Sequence, residues 1–323
     1  MKLAYSSFTR MWFYTILVNC RAFYATLKTS QDQNFCDMIK TIEVNCFVLN
    51  WYMQNFHQQP RLLLQACPRL FSFALRPHVQ LFPMMQLAVL QPNVTHLSLD
   101  KGVSMGTLRY VFEAASTHLV SFHFHISPDD SSIEEMLQIV FPVLQTLSIW
   151  MHSGTSWWFN RFAALYELPS LRHTTFSLRH FHHNGDFSSS SLERFFDAHS
   201  LGLRYLQITS QYLWTRDIVV QSILDCCPAL EHIALFPEFV GIESLRHPRI
   251  KWVDIWVTPC MAPESYELRR TVLSREGFPS LKGVRVLPYF LQELPCPTPL
   301  LLPPDLVTTP SDTFSIQFLN SGI

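Results

Sequence analysis

A short apolar cadence recurs along this chain, and its spacing limits the possible folds more than any other feature. Each copy has an apolar anchor followed by apolar residues at +3 and +5, usually with Pro one or two places before the anchor. The clearest copies are Pro92-Asn93-Val94 leading to Leu97 and Leu99, Pro142-Val143-Leu144 leading to Leu147 and Ile149, and Pro228-Ala229-Leu230 leading to Ile233 and Leu235. Anchors at Leu70, Ile250 and Leu281 read the same way, and weaker copies start at Ile39, Leu119, Leu171 and Leu203. The ten anchors lie 31, 24, 25, 25, 27, 32, 27, 20 and 31 residues apart. Within each copy the +3 and +5 residues alternate with polar ones, the pattern of a short strand with one buried face.

This spacing brackets the period of about 20 to 29 residues of leucine-rich repeats, with a few longer insertions. The segments between the strands read as helices. Residues 107–116 place Leu108, Val111, Phe112 and Ala115 on one face, and 131–140 place Ile133, Met136, Leu137 and Val140 likewise. Ser131 and Ser132 offer an N-cap there, and Glu134 and Glu135 fall in the first turn, where the helix dipole favours carboxylates. Residues 191–198, 217–226 and 264–274 fit the same role. One strand plus one helix cannot bury its apolar edge alone, so neighbours stack. The expected fold is α/β, a leucine-rich-repeat solenoid forming a curved horseshoe, with parallel strands on the concave side and helices on the convex side. Its expected organisation is an N-terminal strand and helix cap over 1–38, the solenoid over 39–290 and a Pro-rich cap or tail over 291–323. A doubly wound α/β fold is the rival. Its central strands read as continuous apolar runs, whereas these alternate, and no glycine-rich turn follows any strand.

The cadence Cys-Pro-x-Leu-x-x-Leu-x-Leu, seen from Cys67 to Leu75 and from Cys227 to Leu235 with Phe73 and Ile233 as variants, resembles the irregular repeats of fungal F-box proteins. The segments 11–18, 24–27 and 38–44 resemble the strand, helix and first repeat that follow an F-box in that family, so the likeness covers nearly the whole chain. It implies the substrate-recognition half of a ubiquitin-ligase receptor. The F-box itself, a helical module of some forty residues in the family, is not seen before Trp12. Docking to a ligase adaptor is therefore implied only for a chain with an F-box upstream.

In such a solenoid the +2, +4 and +6 residues point away from the core, on the face that usually binds. Here those rows are rich in His and aromatic residues and poor in Lys and Glu, the composition of protein interfaces. The expected partner-binding residues are His96, His123, His125, Trp150, His173, Tyr205, His232, Phe236, Trp252, Asp254 and Trp256. The patch from Tyr205 to Trp256 is the densest. The competing reading is that these rings pack on one another or under a loop.

The remaining features argue mainly by exclusion. With 24 Lys plus Arg against 25 Asp plus Glu and no basic run, nucleic acid is disfavoured as a partner. Eight cysteines without a CxxC pair suit reduced thiols in an intracellular protein. The apolar run at 11–18 is short for a signal peptide, and no stretch of 18 apolar residues suggests a membrane span. His123 with His125, and the cluster His180, His182 and His183, lack regular metal-ligand spacing, so no metal and no cofactor is expected. His-Glu-x-x-His and Gly-x-x-x-x-Gly-Lys are both missing; Gly-x-Ser-x-Gly occurs once, at Gly102-Val103-Ser104-Met105-Gly106, a single short match that does not by itself define a triad, and no enzyme is expected. Asp129 and Asp130 suit a turn better than an acid pair. The expectation is a non-enzymatic protein-protein interaction module. The alternatives are a hydrolase or metal-dependent enzyme on an α/β fold, and a decayed gene product without a retained partner.

Overall fold

The computed structural model describes residues 35–46, 62, 64–77, 93–103, 105–126, 138–151, 156–178, 189–210, 220–235, 244–257 and 276–288. The expected elements at 11–18, 24–27 and 264–274, residues 129–137, the cluster His180/His182/His183, Phe236 and the Pro-rich stretch lie outside them. The chain forms two compact units, Met1–Thr155 with Leu165–Ser170 and Ser156–Ala164 with Leu171–Ile323. Both are α/β with parallel strands.

In the first unit a short helix α1 (Phe35–Met38) precedes β1 (Thr41–Cys46), β2 (Ser72–Pro77), β3 (His96–Val103), helix α2 (Met105–Ala115), β4 (Ser121–Ile126), β5 (Ile139–Val140), β6 (Thr146–Met151) and β7 (Tyr166–Glu167). Strands pair in parallel in the order β1, β2, β3, β4, β6. The second unit holds α3 (Ser156–Leu165, whose last residue belongs to the first unit), β8 (His173–Leu178), α4 (Ser189–His199), β9 (Tyr205–Ser210), α5 (Val220–Asp225), β10 (His232–Leu235), β11 (Trp252–Val257) and β12 (Gly283–Pro288). There the parallel order is β8, β9, β10, β11, β12.

Every one of the ten anchors stands two residues before a strand of these two sets. The register pairs like with like: Thr41, Ser72, His96, Ser121 and Thr146 form one +2 row, and His173, Tyr205, His232, Trp252 and Gly283 form the other. Anchors and +3/+5 residues make the core. Leu70, Val94, Leu119, Leu203, Leu230 and Ile250 are completely buried, while the outermost anchors, Ile39 and Leu281, are half-buried.

Main-chain atoms set the strand starts. The carbonyl of each +1 residue that has a following strand in its unit accepts two N–H groups from that strand, as when Arg204 N and Tyr205 N donate to Arg172 O at 2.8 and 3.0 Å. Lys40, Phe71, Thr95 and Val120 do the same in the first unit, and Arg204, Glu231 and Lys251 in the second. A side-chain bond just ahead of the anchor repeats too: Asn93 Nδ2, Ser170 Oγ and Ser280 Oγ donate to the carbonyls of Pro68, Pro142 and Pro248 at 2.7, 2.6 and 2.7 Å. The recurring Pro thus leaves a carbonyl for the next copy to cap.

Helices cover the core side through aromatic contacts. Leu108, Val111, Phe112 and Ala115 of α2 are buried as the periodicity predicts, and the Phe112 ring meets Phe122, Phe141 and Tyr166 edge-on at 5.6, 5.4 and 5.0 Å. In the second unit Phe159 and Phe162 of α3 pack with Phe195 of α4, each at 5.8 Å. Each such ring contributes about 1.5–3 kcal/mol by leaving water. Helix α3 was not expected from the sequence. Conversely, the helix expected over 131–140 does not extend to its end: Ile139 and Val140 form β5, parallel to Tyr166 and Glu167 of β7, with Phe141 N donating to Glu167 O at 2.9 Å. Pairing to a partner strand 27 residues onward overrides the local helical period there. Among the described residues no helix is long and apolar enough to cross a membrane.

Candidate functional site

The face opposite the core differs from residue to residue in how open it is. In the first unit His96 and His123 are half-buried, and the His96 Nδ1 lies 2.9 Å from the Thr95 hydroxyl. Trp150, also half-buried, meets the His123 and His125 rings at 5.5 and 6.0 Å, and His125 is buried. These three rings form a small cluster across β4 and β6.

The second unit carries a longer, connected array on β8 to β12. His173 meets Tyr205 at 6.2 Å, and Tyr205 stands edge-on to His232 at 4.7 Å while its hydroxyl donates to Gln207 Oε1 at 2.6 Å. His232 Nε2 lies 2.7 Å from Asp254 Oδ2. A carboxylate offers only acceptors, so Nε2 carries the hydrogen. Arg285 completes the group with a two-pronged contact, Nε to Oδ1 at 2.7 Å and Nη2 to Oδ2 at 2.6 Å. Its guanidinium lies 5.8 Å from the centre of the Trp252 ring. Gly283 makes room for that ring: a Cβ there would come within 2.7 Å of it.

The electrostatics follow from burial. Burial pushes the Asp254 carboxyl up, but the charge and hydrogen bond of His232 and the Arg285 guanidinium outweigh it, so Asp254 stays below the ordinary aspartate range. Burial first, then the charges of His232, Arg204 and Arg172, hold His173 down at about 4.

Tyr205, His232, Asp254 and Trp256, like His125 in the first unit, were expected to stand open and are buried instead, His232, Asp254 and Trp256 completely. Trp252, Arg285 and His173 are half-buried and remain partly accessible. The array thus divides into a supporting layer and a presented one. Arg285 stands four residues after the anchor Leu281, yet nothing in the sequence paired it with Asp254; their matched positions on adjacent strands were the available signal.

Chemically, the array positions groups better than it transfers protons. The Asp254 carboxylate already accepts three hydrogen bonds. The Nδ1 atoms of His173 and His232 and the Nε1 of Trp256 are buried without a partner, and among the described residues no hydroxyl or thiol bonds to His232 Nδ1. Burial raises the thiols of Cys226 and Cys227 to about 12, with the bond from Cys226 Sγ to Asp197 Oδ1 adding to the first, so neither supplies a thiolate. Among the described residues no three His, Cys, Asp or Glu converge as metal ligands. An open cleft of about 670 Å³ beside α5, lined in part by Asp225, Arg246 and Glu276, shares no residue with the array. Compared with known protein families and with curated proteins, the chain matches none.

Proposed function

We propose that the chain is a non-enzymatic protein-recognition module, a leucine-rich-repeat solenoid similar to the substrate-recognition repeats of F-box proteins. The in-phase register carries this reading. Each repeat position meets its equivalent on the next strand, so a residue type placed at +2 or +4 becomes a continuous row. Those rows display Trp252 and Arg285, the kinds of side chain that dominate binding energy at interfaces, with His173 beside them. Beneath them the bonds among Tyr205, Gln207, His232, Asp254 and Arg285 hold the presented groups in one arrangement, which lowers the ordering cost of association. The partner is another protein inside the cell. In the F-box family a partner bound to such repeats passes to a ubiquitin ligase through an F-box joined to them.

The test uses the full chain as bait, with cross-linked partners compared between the natural protein and Trp252→Ala. The expected result is a lost partner at unchanged circular dichroism and thermal midpoint. An unaltered partner set in a folded variant carrying both Trp252→Ala and Trp150→Ala would overturn the proposal.

A further inference from the structure

The +1 row of the second unit, at the edge where its strands begin, consists of Arg172, Arg204, Glu231, Lys251 and Lys282. Their carbonyls and amides form the ladder of paired bonds described above, so the five side chains leave the sheet edge one strand spacing apart, about 4.8 Å each. Arg172, Arg204 and Lys282 are exposed, and Lys251 is half-buried. Glu231 forms an ion pair with Lys251 at 3.2 Å. Arg172 and Arg204 stand side by side, and among the described residues neither meets a carboxylate.

Neighbouring like charges repel, and nothing in the backbone ladder requires them. Arg172 is nevertheless held in place. Its Nη1 donates to Gly202 O at 2.9 Å, in a space that a Cβ at residue 202 would fill. The field is felt nearby, since the charges of Arg204 and Arg172 add to burial in holding down His173. The equivalent row of the first unit reads Lys40, Phe71, Thr95, Val120 and Gln145, with one cation. The basic edge is therefore a property of one unit and no requirement of the fold.

We infer that the strand-start edge of the second unit docks an acidic, extended segment of the partner protein, one carboxylate against Arg172 and Arg204 and another against Lys251 and Lys282. The inference rests on the protein-recognition reading and adds the partner's chemistry. The centres of the two cation pairs are three strand spacings apart, about 14 Å. An extended peptide advances about 3.3 Å per residue, so acidic residues at i and i+4 span this distance on one side of the chain. Glu231 between the pairs opposes a continuous line of phosphates, and four cations are fewer than the six to ten contacts that typically hold a nucleic-acid backbone.

The experiment measures fluorescence anisotropy of labelled peptides with the full chain at low and physiological salt. The probe is a Thr/Val-rich peptide with Glu at i and i+4, set against the same peptide with Gln at both positions and one with Glu at i and i+2. The i, i+4 peptide is expected to bind about tenfold more tightly than the Gln peptide at low salt, with the advantage shrinking as salt rises. Arg172→Gln with Arg204→Gln removes that advantage. Gly202→Ala, which keeps every charge but displaces the Arg172 guanidinium, reduces it about threefold. Arg194→Gln, on α4, leaves it unchanged. Equal binding of the Glu and Gln peptides overturns the inference, as does retention in the double variant. Equal binding of the i, i+2 peptide overturns the paired geometry. Tighter binding of a single-stranded oligonucleotide of the same charge assigns the edge to phosphate instead and also overturns it. Any of these results beside intact Trp252-dependent partner capture sinks the edge assignment while leaving the recognition function standing.

Discussion

The two units share one backbone plan and furnish it differently. In the first, the +2 row holds Thr41, Ser72, His96, Ser121 and Thr146 and the +4 row Glu43, Ala74, Ser98, His123 and Ser148, small or neutral groups apart from Glu43 on the outermost strand. In the second, the same positions hold a buried carboxylate braced by a histidine and an arginine, with a tryptophan ring above. A hydroxyl at such a position leaves little behind when removed; a buried carboxylate leaves two stranded partners. Specialisation of the second unit therefore makes its stability depend on single residues, in a way the first unit escapes.

The sharpest way to break the contrast is to remove the shared carboxylate. Asp254→Ala strands Arg285 and His232 without a counter-charge and is expected to cost about 3–5 kcal/mol. Ser98→Ala, at the equivalent position of the first unit, should stay within about 0.5 kcal/mol, both read from urea unfolding. Similar losses at the two sites would erase the distinction.

Acid separates the units next. His173 and His199 both sit near 4 in the folded protein, against 6.5 for an ordinary histidine, chiefly through burial. The unfolded chain takes up protons that the folded one refuses. Stability is thus full above about pH 6.5 and is lost as pH falls towards 4, by about 2–3 kcal/mol per ring. Amide exchange should then quicken in β8 and β9 before it does in β2 and β3, and His173→Gln should flatten the decline. A uniform loss across both units would contradict this.

The smallest expected effect probes the fit of the presented ring. Gly283→Ala places a methyl against Trp252 and should cost about 1–2 kcal/mol while shifting tryptophan fluorescence, because the ring must leave the Arg285 guanidinium. A silent substitution would mean that the ring is not held there.

Much of this was legible in the chain itself. The anchors foretold every strand of the two main sets, because burial of one strand face imposes a period of two that local sequence must carry. Helices α2 and α4 were equally plain from their apolar stripes. Helix α3 was not, since the crowded Trp157-Trp158-Phe159 run obscures the helical stripe and Ser156 is followed by no acidic first turn. The two-residue strand at Ile139 depends on Tyr166 and Glu167, a partner that local periodicity cannot reveal. For the candidate site, alternation told which face His232, Asp254 and Trp256 occupy but not that the face is covered there. Nor could it weigh the +1 row, whose charges carry no apolar signal.

The paired bonds at each +1 carbonyl have one more consequence. Since main-chain atoms make the paired bonds at the strand starts, that ladder does not depend on which side chains stand at Arg172, Arg204, Glu231, Lys251 and Lys282. Their charges can change without breaking the paired main-chain bonds. Selection thus has a row of interchangeable letters on a fixed line, where new partners can be spelled one substitution at a time.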